Sequence, residues 1–380
     1  MDTSWGRVCT FDYKELIEIL RERGFPIEDL KITNLKSWRC YRESYKGSDR
    51  CIFHAEEKDP KEFLKSFDKE LERMEREDKV IDFRGFIFPA KFDLKSRVFD
   101  KPIFFTGATF TGPADFSDVT FLEDADFTGA EFQDEVEFNM SKFQKVVSFN
   151  NAIFEKHGIF NRTKFQDIAW FIEAEFEEDV LFNEATFNED VYFIKCRFYS
   201  SIDIRRSTLN KRVLFNEVTF NGDAYFTECR INSLVTFSHT SFNKQARFIA
   251  AEDNQGYLAF FSTIFREPKT TYIIGYPLSR VSFLLTNIEG IYLVPARTGN
   301  EEILDEILMR IAESEKAGGS DRGNPTDNIP EVIRGYAKTV KPYLTPETVH
   351  AEYKLIRKCL EANRMFTEAA DLFIKEMRLA

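Results

Sequence analysis

The side chains with the most chemistry to offer lie near the N-terminus. Cys51-Ile-Phe-His54 is a C-x-x-H pair, Cys40 lies eleven residues before Cys51, and Cys9 comes earlier still. Gly47 offers a turn between Cys40 and Cys51. Thiolate and imidazole together suit tetrahedral zinc, and a small module with little core of its own gains much from a metal. Such an ion would be structural, because four protein ligands leave no open position for catalysis. The competing reading is three reduced thiols and a surface histidine in a small cap.

Elsewhere the reactive residues read as packing. Cys196 and Cys229 each stand two residues before a periodic apolar position, as substitutes for Ala or Val. Cys359 lies in an expected helix beside Leu360. His157 and His239 fall in repeat turns, and His350 in a polar first helical turn. There is no Ser-His-Asp or Cys-His arrangement, no Walker loop and no GxGxxG fingerprint. The acidic runs Asp134–Glu137 and Glu173–Asp179 read as a solvated face. The expectation is a protein that is not an enzyme.

Charge and composition narrow the class further. The 380 residues carry a net charge of −12, which disfavours a general nucleic-acid binder that works by neutralising phosphates. No apolar run reaches the roughly 18 residues of a membrane span, and the N-terminus lacks a signal-peptide layout, so a cytoplasmic location is expected. Six unevenly spaced Cys do not make a disulfide scaffold.

What must position these residues is a repeat built on Phe. From Phe83 to Phe248, apolar centres recur at alternating spacings of five and six; of 31 such positions 27 are Phe, the others being Leu94, Ile204, Leu209 and Ile231. Two residues before the centres stand small or β-branched residues such as Ala108, Ala114, Val119, Ala125 and Ser141. An 11-residue period is also that of a right-handed helical supercoil. Apolar pairs two apart, β-branched fillers and repeated Asn, Asp and Gly point instead to very short strands joined by turns. If each unit makes one side of a square coil, four units take 22 residues. Phe105, Phe127, Phe149 and Phe171 then stack in one column, and Phe110, Phe132, Phe154 and Phe176 in another.

Segments such as ADFSDVTFLEDADFTGAEF and DVLFNEATFNEDVYF resemble the pentapeptide-repeat family in its Phe-centred variant. The resemblance covers roughly residues 81–293 and implies a mainly β solenoid, a right-handed quadrilateral parallel β-helix. The register slips after Phe248: EDNQGY adds a residue, REPKTTYIIGYPL interrupts the array, and LSRVSFLLTNIEGIYL supplies a last coil. The N-terminal layout also resembles the Cys/Cys/Cys-x-x-His modules of some archaeal and bacterial members, which implies Cys9, Cys40, Cys51 and His54 as the ligand set.

Flanking the array are a small α/irregular module and C-terminal helices. Tyr13–Glu22 and Pro60–Arg76 read as helices, the second opened by Asp59-Pro60. Glu301–Ser314 has an apolar side of Ile303, Leu304, Ile307, Leu308 and Ile311, and the polar linker AGGSDRGNPTDN follows it. A helical pair starting at Thr345-Pro346 and near Thr367 places Val349, Tyr353, Ile356 and Leu360 on one helix and Phe366, Ala370, Phe373 and Met377 on one face of the next. The pair resembles a helical hairpin that follows the repeats in some family members, and also a lone tetratricopeptide unit. Expected domains are 1–80, a Cys/His-containing capping module; 81–297, the solenoid; and 298–380, helical, with the hairpin at 346–378.

Charge along the array is uneven. Residues 111–190 hold 5 basic and 19 acidic residues, whereas residues 195–250 hold 9 basic and 4 acidic, including Arg205, Arg206, Lys211 and Arg212. The expected function is a non-catalytic scaffold binding an unnamed protein partner, with self-association through the C-terminal helices. One alternative is a DNA mimic that inhibits or protects a topoisomerase through the acidic stretch 111–190, as the resemblance to some family members implies. Another is the soluble portion of a membrane-associated assembly.

Overall fold

The computed structural model describes residues 8–23, 39–46, 48–89, 91–296, 302–316 and 329–379. The turn expected at Gly47 and the polar linker at 317–328 lie outside the described residues. The chain forms two compact units, Met1–Leu181 and Phe182–Ala380.

In the first unit, helices α1 (Tyr13–Glu22) and α2 (Pro60–Glu77) precede a run of very short strands from Ile81–Asp82 to Val180–Leu181. The strands fall into four parallel columns in which each residue pairs with one 22 positions on: Ile81 with Ile103, Glu131 with Ile153, Val136 with Gly158, Lys142 with Lys164. Four two-residue strands and their turns thus make one coil, as the Phe spacing requires. Phe105, Phe127 and Phe149 stack with centroids 4.8 and 4.9 Å apart, and Phe116 meets Phe127 edge-on at 5.6 Å. Parallel offset stacking up a column and edge contacts between columns are the two arrangements that the ring quadrupole favours.

Within the second unit the pairing is again 22 residues apart, Val191 with Val213 and Phe198 with Phe220. Phe193, Phe215 and Phe237 stack at 4.8 Å, as do Phe220 and Phe242 at 4.7 Å. None of the 31 centres from Phe83 to Phe248 is more than 3% exposed. The extra residue of EDNQGY moves the pairing to 23, Phe237 opposite Phe260 and Phe242 opposite Phe265. The segment expected to interrupt the array instead extends it: Tyr272–Ile274 pairs with Arg247–Ile249, after a 3-10 turn at Pro268–Thr270. Its β-branched and aromatic residues fit the pleated surface even though its length breaks the period. Val281–Ser282 and Tyr292–Val294 complete the last coil.

Small polar residues before the centres have a task of their own. Ser141 Oγ donates to the carbonyl of Phe116 at 2.7 Å and Thr163 to Phe138 at 2.6 Å; Thr240 and Thr263 repeat the bond in the second unit. Cys229 belongs to this set and not with Ala or Val, since its Sγ donates to the Ile204 carbonyl at 3.0 Å. Burial pushes that thiol up to about 12.

Four helices follow: α3 (Leu304–Lys316), α4 (Glu331–Val340), α5 (Pro346–Ala362) and α6 (Phe366–Leu379). α5 and α6 pack against each other as a hairpin, while α4 has no counterpart in the sequence reading. Its Gly335 and the preceding Pro330 mask a stripe of Ile333, Tyr336, Ala337 and Val340 that is buried. On α6 the face expected to pack is largely the exposed one. Phe366, Phe373 and Met377 are 66%, 47% and 60% exposed, whereas Ala369 and Leu372 are buried. No helix among the described residues is long and apolar enough to cross a membrane.

Candidate metal centre

Local structure gathers the four N-terminal ligands from three places. Cys9 is held by its amide bond to the Arg42 carbonyl at 2.9 Å, and the Cys40 amide returns to Phe11 at 2.9 Å, so two antiparallel stretches bring both thiols to one side. After Cys51 the chain turns back, with the amides of His54 and Ala55 both bonding the Cys51 carbonyl, and the C-x-x-H pair points one way. Asp12 then opens α1 with a capping box, accepting from the Lys14 and Glu15 amides. Asp59 caps α2 through the Glu62 amide, with Pro60 in the first turn.

The result is a closed Cys3His cluster that can hold a metal ion. All four ligand atoms lie within 4.8 Å of one another, and every one of these residues is buried. Cys40 Sγ is 3.7 Å from Cys51 Sγ, and His54 Nδ1 is 3.6 Å from Cys9 Sγ and 3.2 Å from Cys51 Sγ. Zinc–sulfur bonds of about 2.3 Å and zinc–nitrogen bonds of about 2.0 Å give tetrahedral edges of roughly 3.5–3.8 Å, close to these separations.

The surroundings suit a metal ligand set. His54 Nε2 donates to the Arg84 carbonyl at 3.1 Å, which leaves the Nδ1 lone pair facing the sulfurs. The imidazole is stacked on Phe11 at 4.1 Å and met edge-on by Phe86 at 5.3 Å, so its plane is fixed. Arg42 donates to Cys40 Sγ at 3.7 Å and is itself held by Glu70 at 2.8 Å. A guanidinium at that point would offset the excess charge that three thiolates leave around a divalent ion. The close approach of Cys40, then of Cys51, pulls the Cys9 thiol below its ordinary range. Burial opposes protonation of His54, but Cys40 and Cys9 outweigh it and raise the imidazole.

The module is tied to the solenoid in two ways. Phe67 of α2 lies over the first coil, 5.2 Å from Phe83 and 5.1 Å from Phe92, and Phe63 is 5.7 Å from Phe88. Lys101 closes the other end of that helix by donating to the carbonyls of Met74 and Asp78. α1 instead runs along the side. A Cβ on Gly85 would stand 2.3 Å from the Phe11 ring, one on Gly107 2.8 Å from Leu16, and one on Gly129 2.4 Å from Leu20. Arg23 ends this track with a 2.7 Å ion pair to Glu131 and a bond to the Gly129 carbonyl.

Those glycines were missed in the sequence, and the signal was there. Every eleventh residue of the array has a positive φ; Met140, Asn151 and Arg162 adopt it too, at 59°, 55° and 58°. Backbone conformation therefore does not demand Gly, and three glycines spaced by 22 mark a close approach instead.

The comparisons agree with the geometry. A family described as pentapeptide repeats (9 copies) matches residues 98–139, 160–208 and 204–252. The array is a pentapeptide-repeat solenoid. The chain is also similar to an uncharacterized protein of Methanocaldococcus jannaschii, 31% identical over 131 residues, or 34% of this chain and 27% of that protein. The match thus spans about a quarter of the relative's length. No solved structure matches. The pentapeptide repeats account for the inward residues; the Cys/His module, Gly85 and the C-terminal helices lie outside the matched segments, whereas Gly107 and Gly129 fall within 98–139.

Proposed function

We propose that this pentapeptide-repeat protein is a non-catalytic interaction scaffold whose first coil is secured by a structural zinc ion bound by Cys9, Cys40, Cys51 and His54. The observation that carries the scaffold reading is the stacking of outward side chains in register. Asn188, Asn210 and Asn232 form a ladder of 2.7 Å amide bonds, and Asn221 and Asn243 repeat it. In the first unit Asp93, Asp115 and Glu137 align one coil above another. Rigid columns of like chemistry, spaced by the strand repeat of about 4.8 Å, offer a flat partner many equivalent contacts without ordering cost.

The acidic columns favour a partner with a basic face. Glu155 and Glu177 lie one coil apart, and burial followed by the neighbouring Glu131 raises the Glu155 carboxyl. A crosslinked pull-down from native lysate should capture a partner with the wild-type chain and lose it with Glu155→Lys/Glu177→Lys. Unchanged capture would move the contact to the terminal modules. Topoisomerase inhibition by duplex mimicry draws on the same carboxylates, although Lys142 and Lys164 stack on another side and restrict the acidity. No effect on gyrase supercoiling at saturating protein would remove that reading. Self-association has the uncovered face of α6 behind it, and sedimentation of a Phe373→Ser/Met377→Ser variant tests it.

For zinc, the donor set and its fit to a tetrahedron are the support. The ion would cross-link the two antiparallel stretches to the C-x-x-H turn and supply folding energy, with no open position for a substrate. Elemental analysis of purified protein should return one zinc per chain and none for Cys51→Ser.

A further inference from the structure

The last coil is covered by helices, and where α3, α4 and α5 meet it four oxygen-bearing side chains are sealed in. Ser282 and Asp305 have no exposure to solvent, Glu352 is 5% exposed and Tyr336 7%. Ser282 comes from the final coil, Asp305 from α3, Tyr336 from α4 and Glu352 from α5. Glu352 Oε1 accepts the Phe283 amide at 2.8 Å. Among the described residues its Oε2, both oxygens of Asp305 and the Tyr336 hydroxyl make no hydrogen bond of good geometry, although Asp305 lies near enough to Glu352 and Ser282, and Tyr336 to Ser282, for a proton to be shared. No Lys, Arg or His is paired with either carboxylate among the described residues. The groups nonetheless face one another: Asp305 acts on Glu352 and on Tyr336, and Ser282 on both Asp305 and Tyr336.

This arrangement is costly unless something joins it. A buried carboxylate without a partner loses its hydration, so without a cation these two must hold protons to stay buried together. The sequence did not drift into the problem by packing, because Asp305 interrupts the apolar stripe of Ile303, Leu304, Ile307, Leu308 and Ile311, where a leucine would serve a purely hydrophobic contact. The Tyr336 hydroxyl is an independent sign, since a buried tyrosine of no polar purpose would be Phe. Two carboxylates and two hydroxyls from four separate elements are all hard oxygen donors. They carry two negative charges between them and no soft or nitrogen ligand. Two recesses reach the rim of the cluster at Glu352 and Tyr336, though not Asp305 or Ser282. A recess of about 290 Å³ is lined by Phe283, Thr348 and Glu352, and a groove of about 770 Å³ by Pro330, Tyr336 and Thr339.

We propose that Asp305, Glu352, Tyr336 and Ser282 bind one hard divalent cation, which pins α3, α4 and α5 to the end of the solenoid. The charge of the ion balances the two carboxylates, and its coordination takes up the oxygens that the protein leaves unpartnered. The centre is chemically opposite to the N-terminal thiolate cluster, so the two do not compete for the same metal.

The test uses the full chain, dialysed against EGTA, with zinc content measured before and after. Titration with Ca²⁺, Mg²⁺ and Mn²⁺, followed by calorimetry and thermal unfolding, should give one saturable site and a rise in Tm. Tb³⁺ should bind there with tyrosine-sensitised emission. Asp305→Asn and Glu352→Gln should each weaken binding at least about tenfold, with folding checked by circular dichroism, and Tyr336→Phe should weaken it less. Absence of saturable binding by the wild-type chain below about 1 mM of every ion, the weak end for built calcium sites, overturns the proposal without recourse to any variant. Binding undiminished in the folded Asp305→Asn protein does so as well.

Discussion

The first and last coils face the same problem and answer it with different chemistry. An end coil exposes aromatic rings and a row of unpaired strand groups. At the N-terminal end, α2 covers the rings with Phe63 and Phe67, and a buried cluster of soft donors that can hold a metal lies at the centre of the module. At the C-terminal end, helices satisfy the edge directly. Cys359 Sγ and Asn363 Nδ2 both donate to the Ile291 carbonyl at 3.1 Å, and Glu352 accepts the Phe283 amide. The difference follows from core size. Before α2 the buried apolar side chains are Phe11, Leu16, Ile17, Leu20, Phe53 and Ala55 beside the three thiols, so a metal cross-link would add most there, whereas α3–α6 carry enough buried side chains to pack as helices and use polar groups to dock.

Removing the N-terminal cross-link should therefore have the largest effect. Structural zinc in small modules supplies about 10–16 kcal/mol of apparent binding energy, more than the module can replace. Cys51→Ser should unfold residues 8–23, 39–46 and 48–59 while the rings of the array stay stacked. Proteolysis should cut before α2, and far-UV circular dichroism should retain the strand signal. If the module keeps its protease resistance without metal, the contrast between the two ends is lost.

A ring deletion inside the array comes next, and it should be indifferent to which end is nearer. Phe127 is stacked on both sides, at 4.8 and 4.9 Å, and so is Phe215, at 4.8 Å to each neighbour. Phe127→Ala and Phe215→Ala should each cost about 3–5 kcal/mol in urea unfolding. Unequal costs would mean that the two units differ in packing as well as in closure.

The C-terminal cluster gives a pH test of intermediate size. Burial raises both the Asp305 and the Glu352 carboxyl above their usual range. Without cation the folded state then binds more protons than the unfolded one. The contribution of the pair is complete at low pH and is lost as pH rises through the raised values, by at most about 1.4 kcal/mol per pH unit for each proton. Urea midpoints between pH 5 and 8 should fall in EGTA and flatten with Ca²⁺. A slope unchanged in Glu352→Gln would assign the dependence elsewhere.

How much of this was legible depended on whether the signal was local or repeated. The Phe centres announce the coil because each is tested again eleven and twenty-two residues later, and Cys51-x-x-His54 announces a turn with two ligands. Asp305, Tyr336, Glu352 and Ser282 span seventy residues on four elements with no common spacing, so only the fold reveals that they meet. α4 hid behind Gly335 because its helical stability comes from burying Ile333 and Tyr336, not from propensity. The face of α6 was misassigned because an apolar stripe states amphipathicity but not which neighbour is present to cover it.

The glycine track gives the smallest effect and the sharpest distinction between closing an end and clasping a side. Gly107 has φ +65°, and a Cβ there meets the tip of Leu16 at 2.8 Å. Met140 has nearly the same backbone, φ 59°, with its side chain 49% exposed. Gly107→Ala should cost about 1–2 kcal/mol for the left-handed alanine, and the displaced leucine should loosen α1, read as faster cleavage within Tyr13–Glu22. Met140→Gly changes the same kind of position away from the track and should leave that cleavage rate unchanged. In the Leu16→Ala background the steric part of the Gly107→Ala cost disappears and only the backbone part remains, a coupling that a double-mutant cycle measures. Equal costs in both backgrounds would mean that α1 is held by the metal cluster alone and that the solenoid's side merely lies beneath it.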